Sequence, residues 1–321
     1  MTSVKFRSNN EGVRMKIRLG FGLLNYPFED GKGFFRWVEM LERAGIDSVW
    51  QSDRLISSDN YLESLSALAS LAGCTEKIKF GMNAIVAPLR DPLVLAKQCA
   101  TIDYLSGGRL LPMFGVGYPK AAEWAATGRS SDHRGSKANE MFHLLSRLWS
   151  EESVTFEGKY YQYKNATIAP RPVQQPLPLW IGGSSNAAIN RTGVLGSGWI
   201  GGITSPEDVS RVISGIKAKA KEVGRTIDDD HYGTSIGFRI GTPQDDAVVN
   251  SPFVKRTGIG ENLDLNPLFA IGTAQDIIAR VQQYIAAGAS KFVMFPIASG
   301  EADMIDQTRR VVAEIKPAIE N

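Results

Sequence analysis

The residues best placed to do chemistry sit in short segments, each closing an apolar run. Leu179-Trp180-Ile181 leads into Gly182-Gly183-Ser184-Ser185 and then a helical pattern from Asn186. Such a turn offers backbone N–H groups and the positive end of a helix dipole, which suit a phosphate. It also reads as a tight turn with Ser184 or Ser185 as the helix cap. Trp50-Gln51-Ser52-Asp53-Arg54 closes a second run, where Asp53 and Arg54 either face a ligand or form an exposed ion pair. Asn83-Ala84 and Gly115-Val116-Gly117-Tyr118 close two more, and the glycines there either admit a flat ligand against the backbone or simply turn the chain. Ser197-Gly198-Trp199-Ile200-Gly201-Gly202 is similar, with Trp199 read as core.

The elements that position these segments alternate between strand and helix. Lys77 to Tyr118 reads as strand (Ile78 to about Ala84), loop, helix (about Pro92 to Leu105), turn and strand. Asp91 caps the helix, Pro92 opens it, and Ser106-Gly107-Gly108 stops it. Two parallel strands joined through a helix gather ligands at their carboxyl ends, which places Asn83, Ala84, Gly117 and Tyr118 at a site. The same alternation gives strands at Ile17–Leu23, Asp47–Gln51, Leu179–Gly182, Gly198–Gly202, about Thr234–Ile240 and Lys291–Phe295, and a β-hairpin at Val154–Tyr163 turning at Gly158-Lys159. Eight strands, each followed by a helix, predict an α/β fold of the (β/α)8 TIM-barrel type, with a doubly wound open sheet as the competitor. Residues 1–15 read as a flexible polar arm and 16–321 as one barrel domain. Residues 118–134 and 241–271, poor in periodicity, read as insertion segments forming a lid at the carboxyl-terminal face.

Composition narrows the function classes. A net charge of +2 with evenly mixed charges points to neither nucleic acid nor a membrane surface as partner. No apolar run approaches the roughly 20 residues that span a bilayer, and the N-terminal stretch lacks a secretory h-region. Cys74 and Cys99 fall among apolar neighbours and are expected to be two buried free thiols in a reducing, cytoplasmic compartment. His133, His143 and His231 have no second ligand at metal spacing, so no metal site is expected. A Rossmann G-x-G-x-x-G, a G-x-S-x-G elbow and a catalytic triad are not found. Residue chemistry alone therefore stops at a barrel with a phosphate-bearing ligand.

From about residue 17 to 318 the chain resembles the bacterial luciferase-like monooxygenase family of flavin- and F420-dependent oxidoreductases. LERAGIDSVWQSDRL, IKFGMNAIVAPLRDP through YLSGGRLLPMFGVGY, FEGKYYQYKNATIAPRPVQQPLPLWIGGSS, GSGWIGG and AGASKFVMFP carry the resemblance in order. It implies a cofactor ring above the strand ends, supported by the Asn83–Ala84 peptide, a bond often cis in the family. It implies a phosphate cradled by Gly182, Gly183, Ser184 and Ser185, with Asp53 among the cofactor-binding residues and Gly117 and Tyr118 beside the ring edge. The F420 branch that oxidises alcohols and sugar phosphates carries histidine where this chain has Arg54, and glutamate just past strand four where it has Tyr118. These departures favour a monooxygenase using reduced FMN and O2 on a small organic substrate. Arg54 then serves as cation for the anionic reduced flavin, a separate flavin reductase supplies electrons, and Trp124, His133 and Phe253 line a pocket. F420-dependent hydride transfer and a non-catalytic flavin-binding protein are the alternatives, and a homodimer is the family-level expectation.

Overall fold

The computed structural model describes residues 16–256 and 268–320. The expected N-terminal arm and residues 257–267 of the expected lid lie outside the described residues.

One parallel sheet dominates. Its strands are β1 (Arg18–Leu23), β2 (Ser48–Gln51), β3 (Lys79–Met82), β4 (Ile85–Val86), β5 (Leu110–Leu111) and β6 (Met113–Gly115). A separate antiparallel hairpin follows, β7 (Val154–Glu157) and β8 (Gln162–Ala166). The sheet resumes with β9 (Trp180–Gly182), β10 (Gly198–Ile203), β11 (Tyr232–Ile240), β12 (Phe269–Gly272) and β13 (Lys291–Pro296). Neighbours run β4-β6-β9-β10-β11-β13-β1-β2-β3-β5, with β12 alongside β11. β3 also pairs with β5 while β4 pairs with β6, so the sheet curls until its two ends meet. Two expected strands are each split. The Asn83–Ala84 peptide separates β3 from β4, and Pro112, which has no N–H for the ladder, separates β5 from β6.

Helices pack outside: α1 (Gly31–Arg43), α2 (Ser64–Cys74), α3 (Pro92–Ser106), α4 (Glu123–Ala126), α5 (Arg134–Ser150), α6 (Asn186–Leu195), α7 (Pro206–Glu222), α8 (Asp246–Val249), α9 (Pro252–Arg256), α10 (Ala274–Ala286) and α11 (Glu301–Arg310). Several of them start where a local side chain satisfies an orphan first-turn N–H group. Asp91 accepts from Val94, Ser185 from Ala188, Ser205 from Asp208, and Thr273 with Asp276 makes a capping box. The expected lid departs from its reading. Its last residues form β12, parallel to β11, and residues 118–134 contain the short helix α4. FAIG is too short a run to show a strand period.

Alternation along each strand sorts two cores. Leu19, Phe21, Val49, Phe80, Met82, Phe114 and Trp199 belong to the layer shared with the helices. Trp50, Leu111, Met113, Trp180, Ile200, Val293 and Phe295 form a second cluster filling the inside of the curl. Trp199 is fully buried and is core, as its sequence context suggests. Lys291, 2% exposed, pairs with Asp47 near the amino edge. Among the described residues no helix is long and apolar enough to cross a membrane.

The two cysteines differ, contrary to expectation. Cys99 is buried, and burial pushes its thiol up to about 12, whereas Cys74 ends α2 on an exposed turn. A disulfide-exchange reagent at pH 8 is therefore expected to titrate one thiol per folded chain and two after denaturation. Two thiols reacting at equal rate in the folded protein would contradict this packing.

Candidate active site at the carboxyl edge of the sheet

Asp53, just past β2, ties the end of β2 to β4, to the start of α2 and to the turn before α3. Its side chain is 2% exposed and accepts from Arg90 Nη1 at 2.8 Å and Nη2 at 2.7 Å. It also accepts from the Val86 N–H and the Ser64 hydroxyl, each at 3.0 Å. Burial works against the Arg90 charge, but the bonds from Asp53 and Glu63 more than offset it, and the guanidinium is held above its ordinary value. Asp53 thus pairs with Arg90 and not with its neighbour Arg54, and its carboxylate oxygens accept from donors of the scaffold.

This clamp fixes the Asn83–Ala84 peptide, which is cis. The Asn83 N–H donates to the Gln51 carbonyl at 2.8 Å, and Val86 is held by Asp53 three residues on. The Asn83 side-chain amide donates to the Ser235 hydroxyl at 2.8 Å. Because β3 and β11 are separated by β2, β1 and β13, that bond crosses the interior of the curl. Ala84 packs on the inner apolar cluster. Gly202 has nothing within 4 Å of where a Cβ would stand. The inner cluster and the Asn83–Ser235 link together form a floor at this edge.

Gly117 adopts φ 73°, and a Cβ there would stand 2.7 Å from Val86 and 3.2 Å from Trp124. Its carbonyl accepts from Arg134 Nε at 3.1 Å. Tyr118 is 84% exposed and its side chain makes no hydrogen bond among the described residues, while its carbonyl accepts from Trp124 Nε1 at 2.7 Å. The buried acid nearby is Glu123 at the start of α4, 7% exposed, paired with Arg54 Nη1 at 3.3 Å. Arg54 itself is 40% exposed.

On the other side, Gly183 (φ 103°) turns the chain from β9 into α6, and its carbonyl is pinned by Trp199 Nε1 at 2.9 Å. Ser184 and Ser185 are exposed at the α6 N-terminus, and Ser185 is the cap. The turn is open to an anion, and the first-turn N–H groups face it. A cleft of about 190 Å³ lies at the ends of β1 and β13, lined by Leu24, Asn25, Asp246, Phe253, Ile297 and Ser299 among others. Phe253 lines this cleft. Trp124 is buried, and exposed His133 precedes α5 at φ 57°, near Tyr160. Asp228, Asp230 and His231 bring ligand atoms within 4.8 Å of one another at the start of β11, yet Asp230 is committed to Arg18 and His231 Nδ1 to the Ser197 carbonyl.

Sequence reasoning missed Arg90, Glu123 and Ser235. Arg90 had one signal, a lone cation in the apolar turn Pro88-Leu89-Arg90-Asp91-Pro92, where burial demands a counter-charge. Glu123 and Ser235 had none, since their partners are 69 and 152 residues distant.

Comparisons with known proteins agree on the family. A family model described as luciferase-like monooxygenase matches residues 19–260. The F420-dependent glucose-6-phosphate dehydrogenase of Kineococcus radiotolerans is 32% identical over 192 residues, 57% of this chain and 56% of that protein. The FMNH2-dependent dimethylsulfone monooxygenase of Pseudomonas putida is 30% identical over 197 residues, 59% of this chain and 54% of that protein. Both matches span little more than half of the relative. Among solved structures, an F420-dependent secondary alcohol dehydrogenase in complex with an F420–acetone adduct superposes with a TM-score of 0.78 at 20% identity, covering 96% of this chain and all of that one.

Replacing Asp53 with alanine leaves Arg90 buried without its main counter-charge, a class of change that costs about 3–5 kcal/mol. Denaturant unfolding of Asp53→Ala is expected to show a loss of that size, and a loss below about 1 kcal/mol would remove the clamp from the account.

Proposed function

Since the chain belongs to the luciferase-like monooxygenase family, we propose that it is a flavin-dependent monooxygenase, taking reduced FMN from a separate reductase and using O2 on a small organic substrate. The parallel pairings are read as a single (β/α)8 barrel domain over 16–321, with insertion segments at its carboxyl-terminal face. The observation that carries the functional reading is the position of Arg54. It stands at the carboxyl edge, a permanently charged guanidinium where a reduced flavin ring carries negative charge.

The residues present fit the cofactor. Gly183, Ser184, Ser185 and the α6 N-terminus would hold the phosphate, and the Asn83–Ala84 peptide and Gly117 would lie against the ring, with Gly202 leaving it room. Reduced FMN brings the electrons and the activation of O2. The chain's own contribution is to bind, orient and exclude water, and Phe253 in the cleft beside β1 and β13 would touch substrate. F420-dependent hydride transfer is the second reading, favoured by Glu123, a buried carboxylate near the site.

Purified protein titrated with FMN and F420 separates the two, followed by O2 uptake in the presence of a flavin reductase and candidate substrates. The proposal expects reduced FMN to bind and O2 consumption to rise with substrate. Selective binding of F420 would sink it, and tight FMN without turnover would favour a flavin-binding protein. Arg54→Ala is expected to lower kcat/KM by about 10- to 100-fold, within the range for losing one preorganised charge contact.

A further inference from the structure

The cleft at the ends of β1 and β13 carries charge of one sign. Its apolar part includes Leu24, Phe253, Pro296 and Ile297, and Leu24 packs on the same inner cluster as Ala84. Its charged lining residues are Asp59 and Asp246, and no Lys, Arg or His is among the described residues that line it. The two walls are fixed to each other by Arg239, whose side chain is 13% exposed. Its Nε donates to Asp245, just before α8, at 2.7 Å, and its Nη1 donates to Asp303 at 2.8 Å and to the Ile297 carbonyl at 3.0 Å. Asp303 in turn accepts from the Ser299 N–H at 2.8 Å. One guanidinium between two carboxylates leaves this strut with an excess of negative charge. Asp245 and Asp303 are thus occupied. Asp246, in the first turn of α8, makes no side-chain hydrogen bond or ion pair among the described residues.

We propose that this cleft selects a small amine, bound as its ammonium with an apolar body, and that Asp246 is the residue that sets the selection. That the cleft receives the substrate rests on the function proposed above. Size limits the body. At about 190 Å³ the cleft exceeds the roughly 150 Å³ of an apolar cavity that takes up benzene, so a single ring or a short branched chain fits. The body lies against Phe253 and Ile297, which are backed by a cluster of their own with Val248, Val254 and Phe269. The head is chosen by charge. An ammonium donates three hydrogen bonds and accepts none, and the lining offers it the Asp246 carboxylate and the amide oxygens of Asn25 and Asn250. A carboxylate, sulfonate or phosphate meets two like charges there with no cation to offset them. Walls of low dielectric focus that field, so what draws the amine repels the anion.

Benzylamine, benzyl alcohol and benzoate share one ring and differ in the charge of the head. Ligand-observed NMR titration of the cofactor-free protein at neutral pH should rank them in that order of affinity, and Phe253→Ala should weaken all three. Asp246→Asn should weaken benzylamine by about threefold to tenfold and leave benzyl alcohol within about twofold, with the difference shrinking in high salt. Three results would each overturn the proposal: benzoate binding as tightly as benzylamine, no binding of any of the three at millimolar concentration, or benzylamine held as well by Asp246→Asn as by the wild-type chain. O2 uptake with reduced FMN, a flavin reductase and a panel of small amines and carboxylates then separates this proposal from the reading beneath it. Uptake that rises with amines supports both. An amine preference in binding without O2 consumption supports the selectivity of the cleft and overturns the monooxygenase reading instead. Uptake driven by carboxylates alone overturns the selectivity and leaves the monooxygenase reading standing.

Discussion

The Asp53–Arg90 fork is the contact on which the carboxyl edge depends. A carboxylate 2% exposed and a guanidinium 12% exposed are each costly to bury alone, and each supplies the other's counter-charge. The carboxylate also holds the Val86 N–H and the Ser64 hydroxyl, so a single group joins the end of β2, the start of α2, β4 and the turn before α3. Because Asn83 is simultaneously tied to Gln51, the cis peptide between β3 and β4 is bracketed on both sides. Everything that shapes the floor follows from that segment: the Asn83–Ser235 bond across the interior, Ala84 on the inner cluster, and Val86 beneath Gly117 and Trp124.

The two edges of the sheet are built for different ends. Toward the amino edge the interior is filled, with Trp50 giving its indole N–H to Ser48 and Lys291 paired with Asp47. A Cβ on Gly20 would collide with Ser48, which measures how little room remains. Toward the carboxyl edge the large side chains give out and Asn83, Ser235 and Gly202 take over, leaving polar groups and open space. Stability is concentrated in the filled half, and ligand capacity in the half that is not.

Much of this was legible in the sequence wherever the cause is local. Asp91-Pro92, Ser185, Ser205 and Thr273 announce helices because a cap and its N–H partner lie within three residues. Gly158-Lys159 announces the hairpin for a similar reason. The βα turns of the site were legible too, as glycine and hydroxyl residues at the ends of apolar runs. What escaped was the pairing of charges. Asp53 and Arg54 are adjacent in sequence, yet their side chains leave the chain in different directions, and Asp53 meets a residue 37 positions away while Arg54 meets one 69 away. Curling of the sheet decides those partners, and no local pattern encodes it.

The same geometry bears on how one scaffold accommodates both chemistries found among its relatives. Fold similarity does not discriminate them, since it concerns the backbone. An oxygen-using reaction needs a cation near the reduced ring; a hydride-transfer reaction needs a group that exchanges a proton with substrate. The Arg54–Glu123 pair holds a cation and a carboxylate 3.3 Å apart, while Asp53 and Arg90 are paired with each other, so the clamp depends on neither member of that pair.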